Sequence, residues 1–216
     1  MGQRLNIEIG CGHTIFANAY YHWSGFTKSA YDLAKKIIKV IKSEKYNKED
    51  DLLYSIRLLE ETGAGLIDNT DNDEYIEEAK KMYTSYGYLK ALQKYQNSDM
   101  KLAKKIFEKE NFKQCKGRNE GLISITEVGK QDTRDWEEGR ITIDIDKNTI
   151  NFDVFWIISD EELKDEEDYK DKEIVECDLD LENLTFDDFD KLENLIDDNL
   201  ENLIKLKDGK IIQWIW

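Results

Sequence analysis

Residues 19–30 read AYYHWSGFTKSA, and the periodicity of the chain changes inside them. Before this stretch, Leu5, Ile7 and Ile9 alternate with Asn6 and Glu8, and GCGH (residues 10–13) supplies turn residues. TIFANAYYHW (residues 14–23) then alternates again, the pattern of a β-hairpin with one apolar face. After it, Ala30, Leu33, Ala34, Ile37, Ile38 and Ile41 recur at helical spacing, with Lys35, Lys36, Lys39 and Lys42 on the solvent side. The stretch therefore converts a strand into an amphipathic helix, expected over residues 27–43 with Ser24 as its N-cap. In that reading Ala19, Tyr21 and Trp23 face a core, and Tyr20 and His22 lie on the opposite side.

Helical spacing continues beyond the first helix. A second helix is expected over residues 49–61, capped by Asn47 and ended by Gly63, with Leu52, Ile56 and Leu59 inward. A third follows the polar DNTDND loop (residues 68–73) and carries Tyr75, Ile76, Ala79, Met82, Tyr83 and Tyr86. A fourth, over residues 99–110, buries Leu102, Ala103, Ile106 and Phe107. These make a central helical block over residues 27–112.

The second half changes to strands. GLISIT (121–126), RITIDID (140–146) and TINFDVFWII (149–158) each alternate. In the last, Ile150, Phe152, Val154, Trp156 and Ile158 are expected on one face, and Phe155 and Ile157 on the other. Residues 159–173 form an acidic loop or short exposed helix. Residues 185–203 form an acidic amphipathic helix with Phe186, Phe189, Leu192, Leu195, Ile196, Leu200 and Leu203 inward. A terminal hairpin turns at Asp208-Gly209. The expected fold is one α+β domain over residues 1–216. It comprises a mostly antiparallel sheet, the central helical block, and a C-terminal amphipathic helix followed by the hairpin.

Composition narrows the function classes. With 40% apolar residues and 24 aromatics among 216, the chain can build a core. No apolar run approaches the roughly 18 residues that cross a bilayer, and MGQRLNIEIG lacks the pattern of a signal peptide. A cytoplasmic protein that does not engage a membrane is expected. Cys11, Cys115 and Cys177 are odd in number and widely spaced, which disfavours a disulfide framework or a CxxC zinc site. With only His13 and His22 as histidines, no metal site and no cofactor are expected. DNTDNDE (68–74) lacks the Gly and Glu that a calcium loop needs at its sixth and twelfth positions.

Charge is asymmetric. Residues 1–118 carry 20 Lys and Arg against 17 Asp and Glu, whereas residues 119–216 carry 11 against 30. Such a field repels nucleic acid and attracts basic partners, so direct nucleic-acid binding is not expected. It can also serve solubility alone.

The residues left for chemistry are few. Backbone N–H groups after Ser24 could receive a phosphate or carboxylate, with Tyr20, His22 and Thr27 beside them. Arg118, Arg134 and Arg140 bring bidentate anion-binding groups into the acidic half. Alternatively, these arginines pair with neighbouring glutamates. Cys11 and His13 are the one sequence-local Cys–His combination, which leaves a hydrolase acting on a nucleotide or amide as the competing class.

The opening GQRLNIEI, the ANAYYHWS block and the NEGLISITE…DWEEGRITID stretch resemble small uncharacterised proteins of bacteriophages and prophages of low-GC Gram-positive bacteria. The resemblance covers roughly a quarter of the chain and carries no catalytic motif. It implies a non-enzymatic binding protein that counteracts a host defence system. Its partner would be either a nucleotide-like small molecule that it sequesters or a defence protein whose basic surface it blocks.

Overall fold

Strands β1 (Leu5–Cys11) and β2 (Thr14–Tyr21) pair antiparallel as the opening hairpin. The register shifts between Ile9 and Gly10, where a Cβ on Gly10 would sit 2.2 Å from the Thr14 carbonyl oxygen. Only glycine fits that bulge. The structure, a computed structural model, describes residues 3–12, 14–67, 111–115, 121–124, 138–165 and 167–214, and elements are numbered among these. The third and fourth expected helices, the 68–74 loop, His13, Arg118 and Arg134 lie outside the described residues.

Helix α1 (Thr27–Lys42) follows, with Ala30, Ala34, Ile37, Ile38 and Ile41 buried as its periodicity requires. Its N-cap is Phe26 rather than Ser24, and no side chain caps it. The Thr27 hydroxyl instead donates to the Val154 carbonyl at 2.9 Å, tying the first turn to the distant half of the chain. Helix α2 (Asp51–Glu61) is capped by Asp50, whose carboxylate accepts from Leu52 and Leu53 N–H, rather than by Asn47. Gly63, at φ 97°, ends it in the left-handed conformation that glycine permits.

The short strands β3 (Leu66–Ile67) and β4 (Gln114–Cys115) pair parallel. β5 (Leu122–Ser124), β6 (Gly139–Asp144), β7 (Thr149–Asp153) and the later β10 (Leu184–Thr185) complete the main sheet. Its order is β10-β7-β6-β1-β2-β5. β1 pairs parallel with β6, and the other pairs in this sheet are antiparallel. The fold is α+β with mixed, mostly antiparallel sheets.

TINFDVFWII is not one strand. The chain breaks at Val154, and β8 (Phe155–Ile158) joins a second sheet with β9 (Ile174–Glu176), β11 (Leu203–Lys205) and β12 (Ile211–Trp214). Its order is β8-β12-β11-β9. Trp156 and Ile157, expected on opposite faces of one continuous strand, are 56% and 54% exposed on β8, an edge strand among the described residues. Between β8 and β9 lie a single helical turn, α3 (Glu162–Asp165), and a 3-10 turn (Glu167–Tyr169).

Helix α4 (Phe186–Asp198), capped by Thr185, buries Phe186, Phe189, Leu192 and Ile196. It stops before Leu200, which is exposed, and Leu203 belongs to β11. Phe189 stacks on Tyr31 of α1, with centroids 4.8 Å apart, and meets Phe152 of β7 edge-on at 5.4 Å. Such aromatic pairs add about 0.5–1.5 kcal/mol each beyond the area they bury. The lysines of α1 are not simply solvated. Lys28 and Lys35 pair with Glu193, and Lys42 with Asp187 and Asp190, so α4 meets α1 through opposite charges.

Candidate functional site

Register determines what the central strands hold in common. Leu5, Ile7 and Ile9 pair with Tyr21, Ala19 and Ala17 on one side and with Gly139, Ile141 and Ile143 on the other. Phe152 and Ile150 of β7 extend the same face. This is the apolar face of the sheet, and it is fully part of the core.

The opposite face carries two polar rows. One runs Tyr20, Asn6, Arg140, Asp153, and the next Asn18, Glu8, Thr142, Asn151. An antiparallel sheet with one apolar face ordinarily leaves the other to water. Here the centre of the polar face is withdrawn from solvent. Asn6 and Asn18 are 0% exposed, and Glu8 and Tyr20 are 2%. Buried polar side chains of this kind are retained where hydrogen bonds satisfy them. Asn18 Nδ2 donates to Asn6 Oδ1 at 3.0 Å, and Asn6 Nδ2 donates to Glu8 Oε1 at 3.3 Å. Thr142 Oγ1 donates to Glu8 Oε2 at 3.1 Å, so one carboxylate oxygen accepts from within β1 and the other from β6.

An aromatic chain continues from the end of β2. Tyr20 Oη lies 3.1 Å from His22 Nδ1, and the His22 ring meets Trp23 edge-on at 4.7 Å between centroids. Trp23 was expected in the core but is 51% exposed, because β2 ends at Tyr21 and alternation ends with it. Tyr21 does face the core. Its hydroxyl hydrogen-bonds with Thr62, and burial pushes its pKa well above the ordinary tyrosine value.

Tyr20, His22 and Arg140 therefore share the polar face and its margin. Ser24 and Thr27 belong to the junction behind it. There Gly25 N–H donates to the Gln3 carbonyl at 2.8 Å, an approach that leaves no space for a Cβ. Asn6, Glu8, Asn18 and Thr142 were not singled out in the sequence. Their alternation with Leu5, Ile7, Ile9, Ala17, Ala19, Ile141 and Ile143 reads as a solvent-facing side.

Cys11 has a different environment. Its Sγ lies 2.6 Å from Asp146 Oδ2, and that hydrogen bond, with burial and the charges of Asp146 and Asp144, raises its pKa to about 11. Among the described residues no group of three His, Cys, Asp or Glu gathers as a metal ion would require. No described helix is long and apolar enough to cross a membrane. In comparisons with family models, curated proteins and solved structures, nothing matches this chain.

Proposed function

We propose that the polar face of the main sheet binds a small nucleotide-like ligand, and that this protein is a binding protein rather than a catalyst. The observation that supports it most is the setting of Asn6, Glu8, Asn18 and Tyr20 in adjacent rows of the central strands, withdrawn from water and held by their own hydrogen bonds. Rigid strands and interlocked side chains preorganise a recognition surface and lower the ordering cost of binding. Glu8, buried and already accepting at both oxygens, fixes Asn6 and Thr142 beside the margin that would meet a nucleobase. Arg140, beside Asn6 in register, suits a phosphate, and His22 and Trp23 offer rings for stacking. His22, Arg140 and Thr142 are half-buried and form the accessible margin.

The resemblance to phage proteins supplies the setting. Sequestering a signalling nucleotide of the host would counteract a defence system without chemistry. Against the hydrolase alternative through Cys11, attack needs a thiolate and the carboxylates of Asp146 and Asp144 oppose one. Cys11 is expected to react slowly with iodoacetamide at neutral pH, and Asp146→Asn to accelerate it. Peptide mass mapping checks both, and rapid labelling of the wild-type thiol would reopen the nucleophile reading.

Calorimetric titration of AMP, GMP, CMP, UMP and cyclic dinucleotides tests the ligand site. At least one is expected to bind. Glu8→Gln, confirmed folded by circular dichroism, should weaken it by about tenfold or more, about 1.4 kcal/mol. No binding by any of them, or equal binding by Glu8→Gln, would overturn the proposal.

A further inference from the structure

The second sheet ends in two edges of different character. β9 carries Glu176, which pairs with Lys205, and its surroundings are charged on both sides. Charged edges of this kind resist pairing with other chains. β8, by contrast, reads FWII, contains no charge, and among the described residues pairs with β12 alone. Its Trp156 and Ile157 are the two most exposed large apolar side chains described.

Ile157 also lines a groove of about 350 Å³ between the two sheets. Its floor is apolar, formed by Phe155, Leu181, Leu206 and Ile212. Its rim is acidic, with Asp153, Asp180, Glu182 and Asp208 against Lys207 and Lys210. Lys210 is engaged at 2.9 Å by both Glu182 and Asp208, whereas Asp153 and Asp180 have no cation among the described residues. Asp160, Glu161 and Glu162 follow directly after β8, so carboxylates flank both ends of the edge. The acidic face of α4 is partly occupied by the lysines of α1. The acidic field of the second half is therefore less committed here than on α4.

We propose that β8 and the groove beside Ile157 dock an extended, basic segment of a protein partner. The partner adds a strand to the β8 edge, sets apolar side chains against Trp156 and Ile157, and places lysines or arginines on Asp153 and Asp180. A second copy of this chain is a poor occupant, because it brings a net charge of −16 to an acidic edge. This site adjoins the polar face, whose rows end at Asp153 and Asn151, but its apolar anchors Trp156 and Ile157 lie outside those rows. Loss of peptide binding in Ile157→Ser with nucleotide binding intact therefore distinguishes the two.

The test uses a short fluorescent peptide of alternating valine and lysine and a counterpart with glutamate in place of lysine, read by anisotropy on the full chain. The lysine peptide is expected to bind, less tightly as salt rises, and the glutamate peptide is not. Ile157→Ser should weaken binding by about tenfold or more, as loss of a central apolar anchor does. Asp153→Asn with Asp180→Asn should weaken it by severalfold and flatten the salt dependence. Absence of binding, equal binding of both peptides, or wild-type affinity in Ile157→Ser would overturn the proposal. A concentration-dependent dimer that Trp156→Ser dissociates would also overturn it, by assigning the edge to a second copy.

Discussion

The two faces of the main sheet are built from the same strands in the same register, and alternate residues are sent to each. On one face Ile7, Ile141 and Phe152 sit side by side and pack under α1 and α4. On the other, Glu8, Asn18 and Thr142 sit one residue along, and hydrogen bonds run from Asn18 through Asn6 to Glu8 and on to Thr142. Both are buried at the centre, yet they are held by different physics. The apolar face gains from every methylene removed from water. The polar face gains little net energy from its hydrogen bonds, and a broken one costs more than an intact one contributes. A sheet needs the first face to fold and does not need the second. The second face is where we propose that a ligand binds.

Substitutions can break this comparison in order of size. Phe152→Ala removes a fully buried ring that touches Phe155 and Phe189, and should destabilise by about 3–5 kcal/mol. Urea unfolding followed by tryptophan fluorescence reads it, and a loss below 1 kcal/mol would mean the apolar face is not the support described. Asn6→Ala removes the acceptor of the Asn18 Nδ2 bond and a donor to Glu8, so about 1–3 kcal/mol should be lost in the same assay. A gain in stability instead would show that this network costs the fold energy.

The smallest effect is expected away from both faces. Glu61, at the end of α2, accepts from Lys45 Nζ at 2.6 Å and from Tyr46 Oη, and these bonds hold its carboxyl below the usual range. A depressed folded-state value means that its contribution is present above the ordinary carboxylate pKa. That contribution is lost as pH falls through the lowered value. Glu61→Gln should therefore lower stability slightly at pH 7, leave it nearly unchanged below the lowered value, and so slightly flatten the decline with acid. This is the modest effect of a partly exposed pair. An unchanged acid limb would remove Glu61 from that account.

What was legible in the sequence was local. Alternation in residues 5–21 and the α1 stripe at Ala30, Ala34, Ile37, Ile38 and Ile41 each need only neighbouring residues to be read. The break at Val154 was hidden because both sheets draw on the same run of apolar side chains. Nothing in FWII marks it as an edge. Trp23 was misplaced because alternation was carried past Tyr21, where the strand ends. The place of Asn6 and Glu8 beside Arg140 and Thr142 depends on β1 lying at the sheet centre. That position rests on a parallel pairing with β6, more than a hundred residues away. Tyr20 and His22 were legible as candidates sharing one face, but the place of Arg140 in the same row was not, for the same reason.

The most direct test of the central claim pairs stability with binding in one variant, Arg140→Met, which keeps the aliphatic stem and removes the guanidinium. Urea unfolding and calorimetric titration with the nucleotide found to bind wild type are measured on the same preparation. The account predicts that the unfolding midpoint moves less than in Asn6→Ala, while affinity falls by about tenfold or more. Wild-type affinity in Arg140→Met would contradict it, as would a loss of stability as large as that of Phe152→Ala.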